Sequence, residues 1–144
     1  MRRITLASLL LALLAPLGAR AEAFMFISGA SGVRKITRVE VRAAFFGKLQ
    51  AWPDGTAVRP FLPTAGSPEL RWLAEEVFEI DESLLLSKFR QEMFKGALQE
   101  AGTAPGATEC IAGAKQNPGA ICLVRASQFR GLPPGVHVVP YSRN

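Results

Sequence analysis

The spacing of apolar residues along this chain changes several times, and each change marks an element. Leu6 to Leu17 is a leucine-rich block with Arg2 and Arg3 before it and Ala19-Arg20-Ala21 after it. A positive start, a short apolar stretch and a small-x-small exit are the pattern of a cleaved secretory signal over residues 1–21. The other reading is a membrane anchor, but the block is shorter than the roughly 20 apolar residues a span requires, and no second hydrophobic segment follows. No cysteine follows the block, so lipid attachment is not indicated.

Residues 22–144 read as one domain with a modest core. Ala23 to Ile27 is a continuous apolar run that predicts a buried strand, followed by the loop Ser28-Gly29-Ala30-Ser31-Gly32. Thr37 and Glu40 have capping-box spacing before a helix whose apolar face is Val41, Ala44 and Phe45 and whose end is Gly47. Trp52-Pro53-Asp54-Gly55-Thr56 predicts a turn, and Ala57 to Leu62 a second strand, with Pro60 placing that strand at an edge or interrupting it. Ser67 followed by Pro68 starts a helix that buries Leu70, Leu73, Val77 and Phe78. Asp81 caps a longer helix running to about Glu100, and Gly102 to Gly106 reads as a linker. A short helix over Thr108 to Gln116, a strand over Ala120 to Val124 and a last strand over Val136 to Pro140 complete the order β-α-β-α-α-α-β-β. That order predicts an α/β fold in three layers, a small mixed sheet with flanking helices.

Charge and composition narrow the function classes. Loss of Arg2, Arg3 and Arg20 with the signal takes the basic count from 17 to 14 against 12 acids, a net charge of +2. Basic and acidic residues are interleaved, so nucleic acid is not an expected partner. Cys110 and Cys122 would meet an oxidising compartment after export, and a helix and strand doubling back at Asn117-Pro118-Gly119 bring them near each other. A disulfide and two buried free thiols are the two readings. One histidine, His137, and two cysteines offer neither a nucleophile-base pair nor metal-ligand spacing. The expectation is a non-enzymatic protein without metal or cofactor. Trp52 and Phe61 are expected to pack rather than to recognise a ligand.

The segment T-R-V-E-V-R-A-A-F-F-G-K-L-Q-A-W-P-D-G-T-A-V-R-P-F, Thr37 to Phe61, resembles the stretch of periplasmic phosphate-binding proteins that reads roughly L-T-x-x-x-L-x-x-I-F-x-G-K-I-x-x-W-x-D-G. Phe45-Phe46, Gly47-Lys48, Trp52 and Asp54-Gly55 fall in step. Gly66-Ser67 matches part of that family's G-S-G-T-R helix start, and Asn117-Pro118-Gly119-Ala120-Ile121 matches its x-P-G-A-I-G-Y strand entry. The likeness covers roughly residues 33–141. It implies a type 2 periplasmic-binding fold, in which two lobes close on an oxyanion and helix N-termini supply amides. The length here suits a single lobe, residues 22–144, as in the short phosphate ABC transporter substrate-binding-like exported proteins.

Two loops are candidate anion sites. In Thr64 to Arg71 (T-A-G-S-P-E-L-R), Gly66 permits close approach, Ser67 offers a hydroxyl, and Arg71 lies one turn on. Against this, Pro68 removes one amide and Glu69 brings a negative charge to the first turn. In the second loop, Ser28 and Ser31 flank Gly29-Ala30, with Arg34 and Lys35 beyond. The implied role is that of a periplasmic solute-binding-like protein that takes phosphate or a similar small oxyanion weakly and presents it to an ABC transporter permease or a sensor. Half a cleft would bind tightly only as a homodimer or with a partner lobe. The alternative is a ligand-free interaction module that docks an envelope protein.

Overall fold

The computed structural model describes residues 22–30 and 32–144. Residues 1–21, where a signal sequence is expected, and the candidate residue Ser31 lie outside the described residues. Strands β1 (Phe24–Ser28), β3 (Arg59–Pro63), β4 (Gly102–Ala104), β5 (Ala120–Arg125) and β6 (His137–Val139) form one sheet in the order β4-β3-β5-β1-β6. β3 runs parallel to β4 and β5, whereas β1 runs antiparallel to β5 and β6. A two-residue parallel pair, β2 (Ile36–Thr37) with β7 (Tyr141–Ser142), closes the chain's end against its beginning.

Alternation along the strands assigns the two faces. Phe26, Leu62, Ile121, Leu123 and Val139 point to one core. That core is covered by α1 (Arg38–Phe45), by α2 (Pro68–Trp72) with its continuation Leu73–Phe78, and by α3 (Glu82–Phe94). Ile27, Phe61, Cys122 and Val124 point the other way, against α4 (Ala107–Gln116). The result is the expected three-layer arrangement around a mixed sheet. Cys110 in α4 and Cys122 in β5 are joined as a disulfide, their Cα atoms 6.0 Å apart, so the bond pins α4 to the sheet on the second face.

Local signals held where the chemistry is local. Ser67 Oγ accepts from the Leu70 amide at 3.1 Å and Asp81 Oδ1 from the Leu84 amide at 2.8 Å. Thr37 Oγ1 accepts from the Glu40 amide at 3.3 Å, but its hydroxyl also donates to the Glu40 carboxylate at 3.0 Å, so the expected reciprocal box is only half made. Gly47 ends the α1 region with φ +71°, close against the Ala97 backbone.

Three readings change. β3 is neither at an edge nor interrupted: it runs unbroken over Arg59–Pro63 between β4 and β5. Its ladder to β5 stops at Pro60 and its ladder to β4 starts at Phe61, so the proline sits at the change of partner, where its missing N–H costs no bond. Gly102 to Gly106 is not all linker, because Gly102–Ala104 forms the edge strand β4. Its glycine lies under the Phe61 ring, and a side chain there would collide with it. The last helix of the first face ends at Phe94 rather than near Glu100, and the chain proceeds in turns through Gly96 at φ +85°. Between α2 and α3 the helix widens to a π-turn over Leu73–Phe78 and stops at Glu79, whose φ of 56° is left-handed.

Candidate functional site

Thr64–Arg71 follows the carboxyl end of β3, the end at which ligands of open α/β sheets ordinarily bind. Gly66 adopts φ +78°, and Ser67 N–H donates to Thr64 O at 3.2 Å, which turns the chain into α2. The hydroxyl of Ser67 serves as the helix cap. The Gly66 N–H donates to Glu82 Oε1 at 3.0 Å, and Arg71 Nε lies 3.9 Å from Glu82 Oε2. One carboxylate from the first turn of α3 thus takes both the amide and the guanidinium that an external oxyanion would use. Beside it, Glu69 is only 5% exposed and receives Arg125 Nε at 2.8 Å, which ties α2 to the end of β5.

The second loop follows the same pattern. Ser28 is fully buried; its hydroxyl donates to Ala120 O at 2.6 Å and accepts from the Ala30 amide at 3.0 Å. The Gly32 N–H reaches Asp54 Oδ2 at 3.4 Å, while Asp54 Oδ1 accepts from Thr56 N–H at 2.9 Å. Arg34 and Lys35 stand exposed.

Strand register keeps these loops apart. Ser28 pairs with Ile121, near the start of β5, whereas Phe24 pairs with Arg125 at its end. Pro60 also pairs with Ile121, so β3 starts where β1 stops. Ser28 and Gly32 therefore lie at the amino ends of β3 and β5, and Gly66, Ser67 and Arg71 at their carboxyl ends. The fold brings Gly66, Ser67 and Arg71 together with Glu82 but does not join them to Ser28.

At the amino ends the turn residues do what the sequence suggests. Trp52 is buried, and its indole N–H donates to Gly119 O at 2.9 Å. Phe61 is buried beneath Gly102 and Gly113. His137 Nε2 lies 2.7 Å from Val33 O, a contact within the protein. Two adjoining cavities open here. One of about 350 Å³ lies between residues 47–60 and 96–101, and one of about 240 Å³ is lined by Thr56, Arg59, Glu100, Asn117, Pro118 and others.

A charge network ties the chain's end to the first face. Arg143 donates to both oxygens of Glu76 at 2.6 and 2.7 Å, and Arg38 and Arg42 each reach Glu79 at 3.2 and 3.3 Å. The hydrogen bond from Arg143 holds the Glu76 carboxyl below its ordinary range, against a smaller upward push from burial. No group of three or more His, Cys, Asp or Glu side chains among the described residues could hold a metal ion.

No protein-family model and no curated protein matches this sequence. Solved structures do match in shape. A crystal structure of an ABC-type phosphate transport receptor from Vibrio cholerae superposes with a TM-score of 0.58 at 10% identity, covering 83% of this chain and 46% of that one. PstS from Borrelia burgdorferi superposes with a TM-score of 0.54 at 15% identity, covering 83% of this chain and 47% of its own. The fold is that of a single periplasmic-binding lobe. This chain spans about half the length of the receptors it resembles. Among the described residues no helix is long and apolar enough to cross a membrane.

Glu82, Arg125 and Arg59 were not among the candidate site residues offered by the sequence, and Asn117 entered only as part of a turn and strand entry. Glu82 lies 16 positions from Gly66 and reaches it only because the π-turn and Glu79 fold α3 back on α2. A glutamate directly after a helix cap is common, so nothing local distinguishes it.

Proposed function

We propose that this chain is an exported solute-binding-like lobe that takes phosphate or a similar small oxyanion weakly at Gly66, Ser67 and Arg71 and presents it to an ABC transporter permease. The observation that carries the reading is the Glu82 carboxylate on the Gly66 amide and beside Arg71. A site that accepts one oxyanion, its own, has the donors and charge to accept another. The internal carboxylate is present at high effective concentration, so an external anion must displace it and binds weakly. The likeness in fold to phosphate receptors and the position at the carboxyl ends of the strands support the same reading.

Isothermal titration of residues 22–144 with phosphate, with sulfate as control, tests it. Wild type is expected to bind phosphate in the millimolar range. Ser67→Ala is expected to weaken binding, and Glu82→Gln to tighten it. No heat in any of the three proteins would remove the anion-binding reading.

A second reading, a module that docks an envelope protein, is favoured by one surface. Phe94 is 94% exposed at the end of α3, with Leu84 and Met93 also exposed. Arg90, Gln91 and Lys95 border a depression beside Phe94. An aromatic anchor with basic neighbours suits an acidic protein partner. Phe94→Ser should leave phosphate binding unchanged and abolish capture of such a partner.

A further inference from the structure

We infer that the cavity over Arg59, at the amino ends of β3 and β5, is a second binding site, one for a small aliphatic monocarboxylate. The starting point is a charge without a counter-ion. Four arginines among the described residues are half-buried: Arg38, Arg42, Arg59 and Arg125. Arg38 and Arg42 pair with Glu79, and Arg125 pairs with Glu69. Arg59 has no carboxylate within 4.0 Å among the described residues, and its Nε is buried without a hydrogen-bond partner. Removing a guanidinium from water without an anion is costly, and a bound anion removes that cost.

The surroundings hold the group still. Arg59 Nη1 donates to Asn117 Oδ1 at 2.5 Å. The Asn117 Nδ2 donates to Gly113 O at 2.9 Å, which fixes the amide so that its oxygen faces the arginine. The guanidinium carbon lies 5.6 Å from the Phe61 ring centroid. With Nη1 engaged, Nη2 is the donor left for a ligand; among the described residues it makes no hydrogen bond. A planar carboxylate matches a guanidinium edge.

The walls select the rest of the ligand. Ala57, Val58, Pro118 and Gly119 line the cavity of about 240 Å³ and suit a short aliphatic body. Glu100 stands at the same cavity, exposed and without an ion pair among the described residues. Its charge tolerates a monoanion beside Arg59 and disfavours a dianion such as hydrogenphosphate. The site lies at the opposite end of the sheet from Gly66 and Ser67, so it stands or falls separately from the phosphate reading.

Propionate titration of the purified, 15N-labelled protein, followed by NMR, tests the site, with hydrogenphosphate as the dianion arm. Saturable shifts are expected at the Arg59 Nε–H and the Asn117 and Gly119 amides with propionate, and none at these positions with phosphate. Arg59→Gln should weaken propionate at least about tenfold. Glu100→Gln alters an exposed side chain; it should tighten propionate and admit phosphate, and it carries the test if Arg59→Gln does not fold. The inference is overturned by absence of saturable shifts at Arg59, by equal affinity in a folded Arg59→Gln protein, by phosphate binding as tightly as propionate, or by a Glu100→Gln protein indistinguishable from wild type.

Discussion

The two ends of the β3–β5 pair treat their arginines in opposite ways. At the carboxyl ends both the half-buried Arg125 and the exposed Arg71 have a carboxylate of the chain itself: Glu69 holds Arg125, and Glu82 covers the Gly66 amide beside Arg71. At the amino ends Arg59 has an asparagine and a ring, but no carboxylate. The residues that resemble a phosphate receptor's helix start lie at the saturated end. On the proposed anion-binding reading, the loop that carries the likeness supplies the donors, and the neighbouring helix sets how freely an external anion enters.

The largest expected effect breaks the saturated end. Glu69→Ala leaves Arg125 without its buried partner and should cost about 3 kcal/mol or more in urea unfolding. Arg59→Gln, at the other end, loses one hydrogen bond and relieves an uncompensated charge, so its cost should stay near 1 kcal/mol or below. Equal losses in the two variants would erase the contrast between the ends.

Removing the disulfide comes next. With a sequence separation of 12 from Cys110 to Cys122, the Cys110→Ser/Cys122→Ser protein should lose about 3 kcal/mol through loop closure. The loss should loosen α4, which delivers Asn117 to Arg59, and broaden the NMR signals of Asn117 and Gly119 while sparing Gly66. Broadening centred on Gly66 would show that the disulfide supports the wrong end for this account.

Acid gives the smallest effect. Arg143 lowers the Glu76 pKa, so this pair's contribution is complete above the ordinary carboxylate range and is lost as pH falls through the lowered value. Arg143→Ala should flatten that part of the stability-against-pH curve only slightly, because Arg143 is exposed and solvent screens the pair. A curve unchanged by the substitution would remove Glu76 from the acid response.

Much of the fold was legible because it depends on neighbours in sequence. Ser67-Pro68 and Asp81 mark helix starts whose caps are made by the next residues. The continuous apolar runs of β1 and β5 mark buried strands, and only the pleat of the folded sheet sends Phe26 and Ile121 to one core and Ile27 and Cys122 to the other. β4 was not legible: Gly-Thr-Ala has little strand character, and its pairing comes from Phe61 to Pro63 some 40 positions earlier. For the site, sequence pointed to Gly66 and Ser67 but not to Glu82, whose approach depends on the π-turn and the left-handed Glu79. Nor does a sequence show that a particular arginine lacks a counter-ion. That property of Arg59 emerges only when the strands fix which acids it can reach.

Competition between Glu82 and an external oxyanion is the central claim, and one paired titration addresses it directly. Phosphate is titrated calorimetrically into wild type and Glu82→Gln under identical buffer and salt. The account predicts weak binding to wild type and binding at least about tenfold tighter in the variant, a gain of about 1.4 kcal/mol. Equal or weaker binding in Glu82→Gln would mean that the carboxylate does not stand in for a ligand and that Thr64–Arg71 is a helix start alone.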